Sequence, residues 1–303
     1  CILTNTNEEA LQVVGFLQKE GIRANLIQSL GKEFKLYNMA EIRYFLKKIK
    51  NELKTPMISE EIWERAKNKL FTTYADSTCL EICKNLIKDF EELYPQKYYT
   101  DLEEFAKESF YEDFYEKDNK ETIFVSTIHK SKGREFDSVY MMLNGSLTLT
   151  DEERRKIYVG ITRAKENLYI HCNTNVFSEK LFPEIVHIID EKIYEEPKEI
   201  CLQLTLKDVF LDFFKEKEKE RLVSILHSGT PLLISSNSLY VRTREGEKTV
   251  VVFSKAFYDR VIQLRRKGYE PYSAIVRFVV GWKGKGEERE TAVLLPDMWF
   301  RKI

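Results

Sequence analysis

The chain has 303 residues, a formal net charge of −1, and 43% hydrophobic and 13% aromatic residues, enough for about two domains with real cores. No apolar run reaches the roughly 18 residues a membrane helix requires, and an opening that already reads as a buried strand leads us to expect no signal peptide. Five cysteines without a C-x-x-C pair and four scattered histidines argue against a disulfide scaffold or a zinc module, and predict reduced thiols in the cytoplasm.

In chain order, Cys1-Ile2-Leu3 reads as a short buried strand, so the chain opens inside an element and is expected to be part of a longer protein. Thr6-Asn7-Glu8-Glu9 has the form of a capping box. The helix it starts carries Ala10, Val13, Val14 and Leu17 at helical spacing and stops at Gly21. A second strand, Arg23–Ile27, makes a β-α-β unit and with it the start of a parallel sheet. From about 35 to 117 the pattern turns wholly helical, with three to five helices punctuated by Pro56 and Pro95. Cys79 and Cys83 stand one helical turn apart within it and read as small apolar residues on a helix face.

Sheet patterning resumes with a strand at Thr122–Ile128, a loop at His129–Asp137 and a strand at Ser138–Leu143. A helix from Asp151 to about Arg163 and a strand at Asn167–Cys172 follow. The tail alternates at Leu202, Leu204 and Leu206 and passes a charged run, Lys215–Glu220, that reads as a solvated helix face. Strands then come at Leu232–Ser235, Leu239–Arg242 and Val250–Phe253, the last two joined through Glu245-Gly246 as a hairpin. A helix from Ser254 stops at Gly268, and strands at Ala274–Trp282 and Thr291–Leu295 close the chain. Residues 229–303 carry 14 Lys and Arg against 8 Asp and Glu, whereas residues 1–228 carry 34 against 41. Arg242, Arg244, Arg265, Arg266, Lys267, Tyr269, Tyr272 and Trp282 are therefore candidates for nucleic-acid contact, with protein docking as the equal alternative.

Two stretches carry chemistry. Val125-Ser126-Thr127-Ile128-His129-Lys130-Ser131-Lys132-Gly133-Arg134-Glu135-Phe136-Asp137 and Tyr158-Val159-Gly160-Ile161-Thr162-Arg163-Ala164 both sit where an α/β sheet presents ligand-binding groups. In order and separation they resemble motifs V and VI of the UvrD/Rep/PcrA superfamily-1 DNA helicases. Ile2–Asn7 is similar to motif IV, although relatives commonly have an aromatic where Thr4 stands and an arginine where Asn5 stands. The helical block resembles the family's 2B subdomain, shortened. No Gly-x-x-x-x-Gly-Lys-Ser/Thr phosphate loop occurs in the chain.

The resemblance implies a RecA-like parallel-sheet domain over 1–34 and 118–190, a helical insertion over 35–117, and a small α+β or barrel-like module over 191–303. It implies Arg163 as the catalytic arginine finger, a role that suits a planar, permanently charged guanidinium. Gly133 and Glu135, with Arg163, would meet the nucleotide, and Thr127, His129 and Lys130 would meet the DNA backbone. ATP and Mg²⁺ would be held mainly by an N-terminal helicase domain of the same parent chain. The partners would be single-stranded or duplex DNA, not a membrane, and translocation would run 3′ to 5′ with duplex unwinding. Two other readings are a non-catalytic scaffold that retains the fold, which Asn5 favours, and the motor half of a helicase–nuclease fusion.

Overall fold

A computed structural model describes residues 1–27, 35–109, 114, 122–143, 150–173, 177, 185–189, 196–284, 286 and 289–303. Among them the helices are α1 (Asn7–Lys19), α2 (Ala40–Glu52), α3 (Glu60–Thr73), α4 (Leu80–Leu93), α5 (Tyr99–Glu108), α6 (Asp151–Ile161), α7 (Lys217–Ser224) and α8 (Lys255–Arg266). The strands are β1 (Ile2–Thr4), β2 (Ala24–Ile27), β3 (Ile123–Thr127), β4 (Phe136–Leu143), β5 (Ala164–Cys172), β6 (Glu199–Gln203), β7 (Pro231–Ile234), β8 (Ser238–Thr243), β9 (Gly246–Val252), β10 (Tyr269–Trp282) and β11 (Thr291–Lys302). The chain divides into two compact units, Cys1–Ser29 with Glu121–Cys201, and Leu30–Lys120 with Leu202–Ile303.

The first unit is a five-stranded sheet in the order β2-β3-β1-β4-β5, with every neighbouring pair parallel. Parallel pairing needs crossover segments, and the capping box at Thr6 begins the first. Glu9 accepts from the backbone N–H groups of Asn5 (2.9 Å) and Thr6 (3.1 Å), while Thr6 Oγ1 accepts from Glu9 N–H (3.2 Å). Under α6 lies a core of Leu3, Ile128, Val139, Met141, Leu143 and Ile157. Gly160 belongs to this contact: a Cβ there would come within 2.7 Å of the Met141 methyl. β4 starts at Phe136, two residues before the strand the sequence predicts, because Phe136 already pairs with Ala164 at the start of the β4–β5 ladder.

The second unit combines the helical stretch with the C-terminal strands, which the sequence presents as two separate modules. Its sheet runs β6-β11-β10-β7-β8-β9, curled into a half-barrel, with β11, β10, β7, β8 and β9 pairing antiparallel in turn. Trp63, fully buried, lies edge-on to Phe45 (5.2 Å between ring centres) and packs against Phe90 (5.6 Å). Helices and strands are joined by polar groups as well. Glu41, 1% exposed, accepts from Ser77 Oγ (2.7 Å) and from Ser228 Oγ (3.4 Å), and burial pushes its carboxyl pKa up. Cys79 and Cys83 are buried in this unit as free thiols, and burial raises both pKa values.

Opposite, β10 and β11 bury an ion pair. Arg277 Nε stands 3.2 Å from Asp297 Oδ1, and the same guanidinium donates to Gln203 Oε1 (2.9 Å) and Leu204 O (2.6 Å). Desolvation raises the Asp297 pKa to about 6 against the pull of Arg277. β11 runs through Pro296 to Lys302, past the predicted end at Leu295. A bulge between Val276 and Phe278 on β10 faces that proline, the position where a strand tolerates the missing N–H.

Candidate nucleotide and nucleic-acid site

The residues of motifs V and VI come together in the first unit, at the C-terminal end of β3 and the C-terminal end of α6. Thr127 ends β3 and is 6% exposed, with little open surface for a partner to reach. Its carbonyl accepts from the N–H groups of Lys130 (3.0 Å) and Ser131 (3.1 Å), which folds the chain into a turn. His129 and Glu135 are exposed on this loop and Lys130 is half-buried. Gly133 has φ +86°, and nothing lies within 4 Å of where a Cβ would be. Glycine is thus needed there for backbone conformation and leaves an open approach to the backbone.

Ser131, fully buried, donates through Oγ to Ile128 O (2.8 Å) and holds the base of the turn. Arg134 N–H donates to Ser131 O (3.0 Å) and continues it. Sequence reasoning attaches no role to Ser131; its signal is a small hydroxyl residue set inside a run of Lys and Arg.

Arg163 is the link between the two motifs. It follows the C-cap of α6 and is half-buried. Its Nε donates to Val159 O (2.9 Å), one guanidinium nitrogen to Arg134 O (2.9 Å), and the other to Thr162 Oγ1 (3.0 Å). In addition, Arg163 O accepts from Phe136 N–H (2.8 Å). The side chain therefore caps the last turn of its own helix, which a cation favours at a C-terminus, and reaches across to the motif V loop. A guanidinium has five N–H groups. Three are used in these bonds, leaving two for a ligand among the described residues. Thr162, which also donates to Val159 O (3.0 Å), is a positioning residue that sequence reasoning missed; its adjacency to Arg163 was the available signal.

Asn5, at the end of β1, stands beside this loop through the β1–β3 pairing, where Thr4 faces Thr127. Its side-chain Oδ1 is buried with no hydrogen-bond donor among the described residues. The position so supplies an acceptor in place of a cation. The candidates in the tail behave differently. Tyr269 is buried, Arg242 pairs with Glu247 (3.5 Å), Arg265 with Glu270 (2.9 Å), and Arg301 covers Tyr272 (4.4 Å to the ring centre).

Comparison with known proteins agrees with the loop geometry. Residues 56–175 match the model of the UvrD-like helicase C-terminal domain. A DNA helicase II from Rickettsia typhi is 35% identical over 108 residues, 31% of this chain and 16% of that protein. An ATP-dependent DNA helicase Rep from Buchnera aphidicola subsp. Schizaphis graminum is 36% identical over 113 residues, 33% of this chain and 16% of that protein. A mitochondrial ATP-dependent DNA helicase from Saccharomyces cerevisiae is 46% identical over 52 residues, 17% of this chain and 7% of that protein. The matches thus span about a sixth or less of these relatives. With a parallel sheet and motifs V and VI on adjoining loops, this chain is similar over residues 56–175 to the C-terminal domain of UvrD/Rep-like helicases.

Proposed function

We propose that these residues are the C-terminal motor half of an ATP-dependent DNA helicase, coupling ATP hydrolysis to 3′-to-5′ movement along single-stranded DNA and to duplex unwinding. The observation that carries this reading is the hydrogen bond from Arg163 to Arg134 O. It ties the guanidinium that would meet the γ-phosphate to the loop that would meet DNA.

ATP and Mg²⁺ would be held mainly by an N-terminal helicase domain, since the 303 residues contain no phosphate loop. The metal would neutralise phosphate charge there. This chain would add three things. Arg163 offers its two remaining N–H groups to charge that develops on the transferred phosphoryl group, an effect worth ~10³–10⁵ in rate in other nucleotide hydrolases. Gly133 permits close backbone approach on the nucleotide side, where the exposed Glu135 carboxylate can accept from sugar hydroxyls. His129 and Lys130 would lie on the DNA side, where backbone-directed donors grip phosphate without reading sequence, on the turn that the buried Thr127, the third residue expected there, holds through its carbonyl. When Arg163 engages the nucleotide, its bond to Arg134 O is stretched or exchanged, and the loop carrying His129 and Lys130 responds.

Asn5 favours a second reading, a scaffold that keeps the fold without hydrolysis, because a cation is lacking at that position. The two are separated by ATP hydrolysis of the intact parent protein with and without single-stranded DNA. A motor is stimulated by DNA and releases a labelled strand from a duplex with a 3′ tail. A scaffold hydrolyses nothing in response to DNA, and that result would discard the motor.

A further inference from the structure

Within the second unit, α2 and the ends of β10 and β11 enclose a cleft of about 600 Å³, a size in the range of small-ligand sites. Nothing in the motor reading uses it. Its floor is apolar strand, Val279 and Val280, and four tyrosines line it: Tyr37, Tyr44, Tyr74 and Tyr99. Arg43, Lys47 and Lys50 recur along α2 at intervals of four and three residues, so all three share the face that borders the cleft. The opposite face of α2 buries Ile42, Phe45 and Ile49, and Leu46, also buried, borders the cleft beside Lys50.

The charges divide into spent and unspent. Glu290 is paired with Arg43, whose guanidinium occupies the space a Cβ at Gly281 would need. Glu103 is paired with Lys107 (2.7 Å). Those are the two acids lining the cleft, and both are engaged. Lys47 and Lys50 are exposed and have no carboxylate partner among the described residues. Lys50 instead rests 5.8 Å from the centre of the Tyr99 ring. Burial raises the Tyr74 and Tyr99 phenols to about 12, so both remain neutral hydroxyl donors at physiological pH.

We infer that this cleft binds a short segment of single-stranded DNA, its bases against the tyrosines and its phosphates on Lys47 and Lys50. Aromatic walls with unpaired cations at the rim are the chemistry that holds unpaired bases and backbone together. A duplex keeps its bases stacked inside and cannot present them to such walls. Phosphate draws Lys50 off Tyr99 and frees that ring face for a base. The inference rests on the reading of the parent as a DNA motor, because it takes DNA as the polyanion at hand.

The test is fluorescence anisotropy of a labelled fifteen-nucleotide oligo(dT) with the 303-residue chain, titrated across salt concentration. Lys47→Ala/Lys50→Ala should weaken binding about tenfold or more and lower the slope of log affinity against log salt by about 1.4, near 0.7 for each lost phosphate contact. Tyr99→Leu should weaken binding about tenfold with the slope unchanged, the signature of a lost stacking contact. Both lysines are exposed, so the fold is expected to survive, with circular dichroism melts of each variant as the check. Unchanged affinity and slope in the lysine variant would overturn the inference, especially if His129→Ala/Lys130→Ala alone abolished binding. So would a lysine effect that Tyr99→Leu does not share, or equal binding of duplex, since either reduces the cleft to surface charge. Loss of binding in the cleft variants beside a parent that hydrolyses no ATP with DNA would keep the cleft and remove the motor.

Discussion

The two units handle polar groups in opposite ways. In the parallel-sheet unit they gather at the C-terminal ends of β1, β3 and α6, on loops: His129 and Glu135 are exposed, Asn5 Oδ1 has no donor, and Arg163 keeps N–H groups in reserve. In the second unit the buried charges meet partners within the fold: Arg277 is in ion-pair contact with Asp297, without a hydrogen bond between Nε and Oδ1, and donates to Gln203 and Leu204, while Glu41 accepts from Ser77 and Ser228. A buried charge without a partner is costly, so the closed pairs hold structure. Open polar groups on a rigid sheet can be spent on a ligand. The difference teaches where to expect lost stability and where lost function.

The comparison breaks first, and most heavily, at the Arg277–Asp297 pair. Asp297→Ala leaves Arg277 buried without its carboxylate and should cost about 3–5 kcal/mol, read as a shift of the denaturant midpoint. A loss within that of an ordinary surface change would mean the pair is not closed as described. Next comes pH. A carboxyl whose folded pKa exceeds its unfolded one favours the fold while it is protonated. For Asp297, with a folded pKa of about 6 against an ordinary 3.8, that contribution is complete below about 3.8 and disappears as pH rises through about 6. Asp297→Asn should flatten this part of the stability profile, and a profile identical to wild type would place the titration elsewhere.

The smallest effect sharpens the other side of the comparison. Gly133→Ala forces a Cβ onto a left-handed backbone where no neighbour obstructs it, so the cost should be about 1–2 kcal/mol from conformation alone. Gly133→Asn, which tolerates that conformation better, should recover much of it. Equal losses in the two variants would show that space, not backbone angle, selects glycine.

Much of this was legible in the sequence. The capping box at Thr6–Glu9 and the Ala10, Val14 and Leu17 stripe fix α1, because both signals are local and 3.6-periodic. Motifs V and VI announce their loops, because their residue types are tied to the chemistry of phosphate. What was not legible depends on partners distant in the chain. Nothing near Glu41 foretells Ser228, and nothing near Arg277 foretells Asp297 across the β10–β11 pairing. Helical block and C-terminal strands read as two modules because periodicity reports which face is apolar and not what it meets. Likewise, the sequence attaches no role to Lys47 and Lys50, since three of the four tyrosines beside them, Tyr37, Tyr74 and Tyr99, come from outside α2.

The central claim is that Arg163 serves hydrolysis and not merely the end of α6. The most direct measurement is DNA-stimulated ATP hydrolysis by the intact parent protein, wild type beside Arg163→Ala, with nucleotide binding followed in the same samples. The account predicts a rate reduced by ~10³ or more, with nucleotide still bound and the melting temperature little changed. A variant that hydrolyses ATP at the wild-type rate, or one that loses activity only because it unfolds, would contradict it and leave Arg163 as a helix cap.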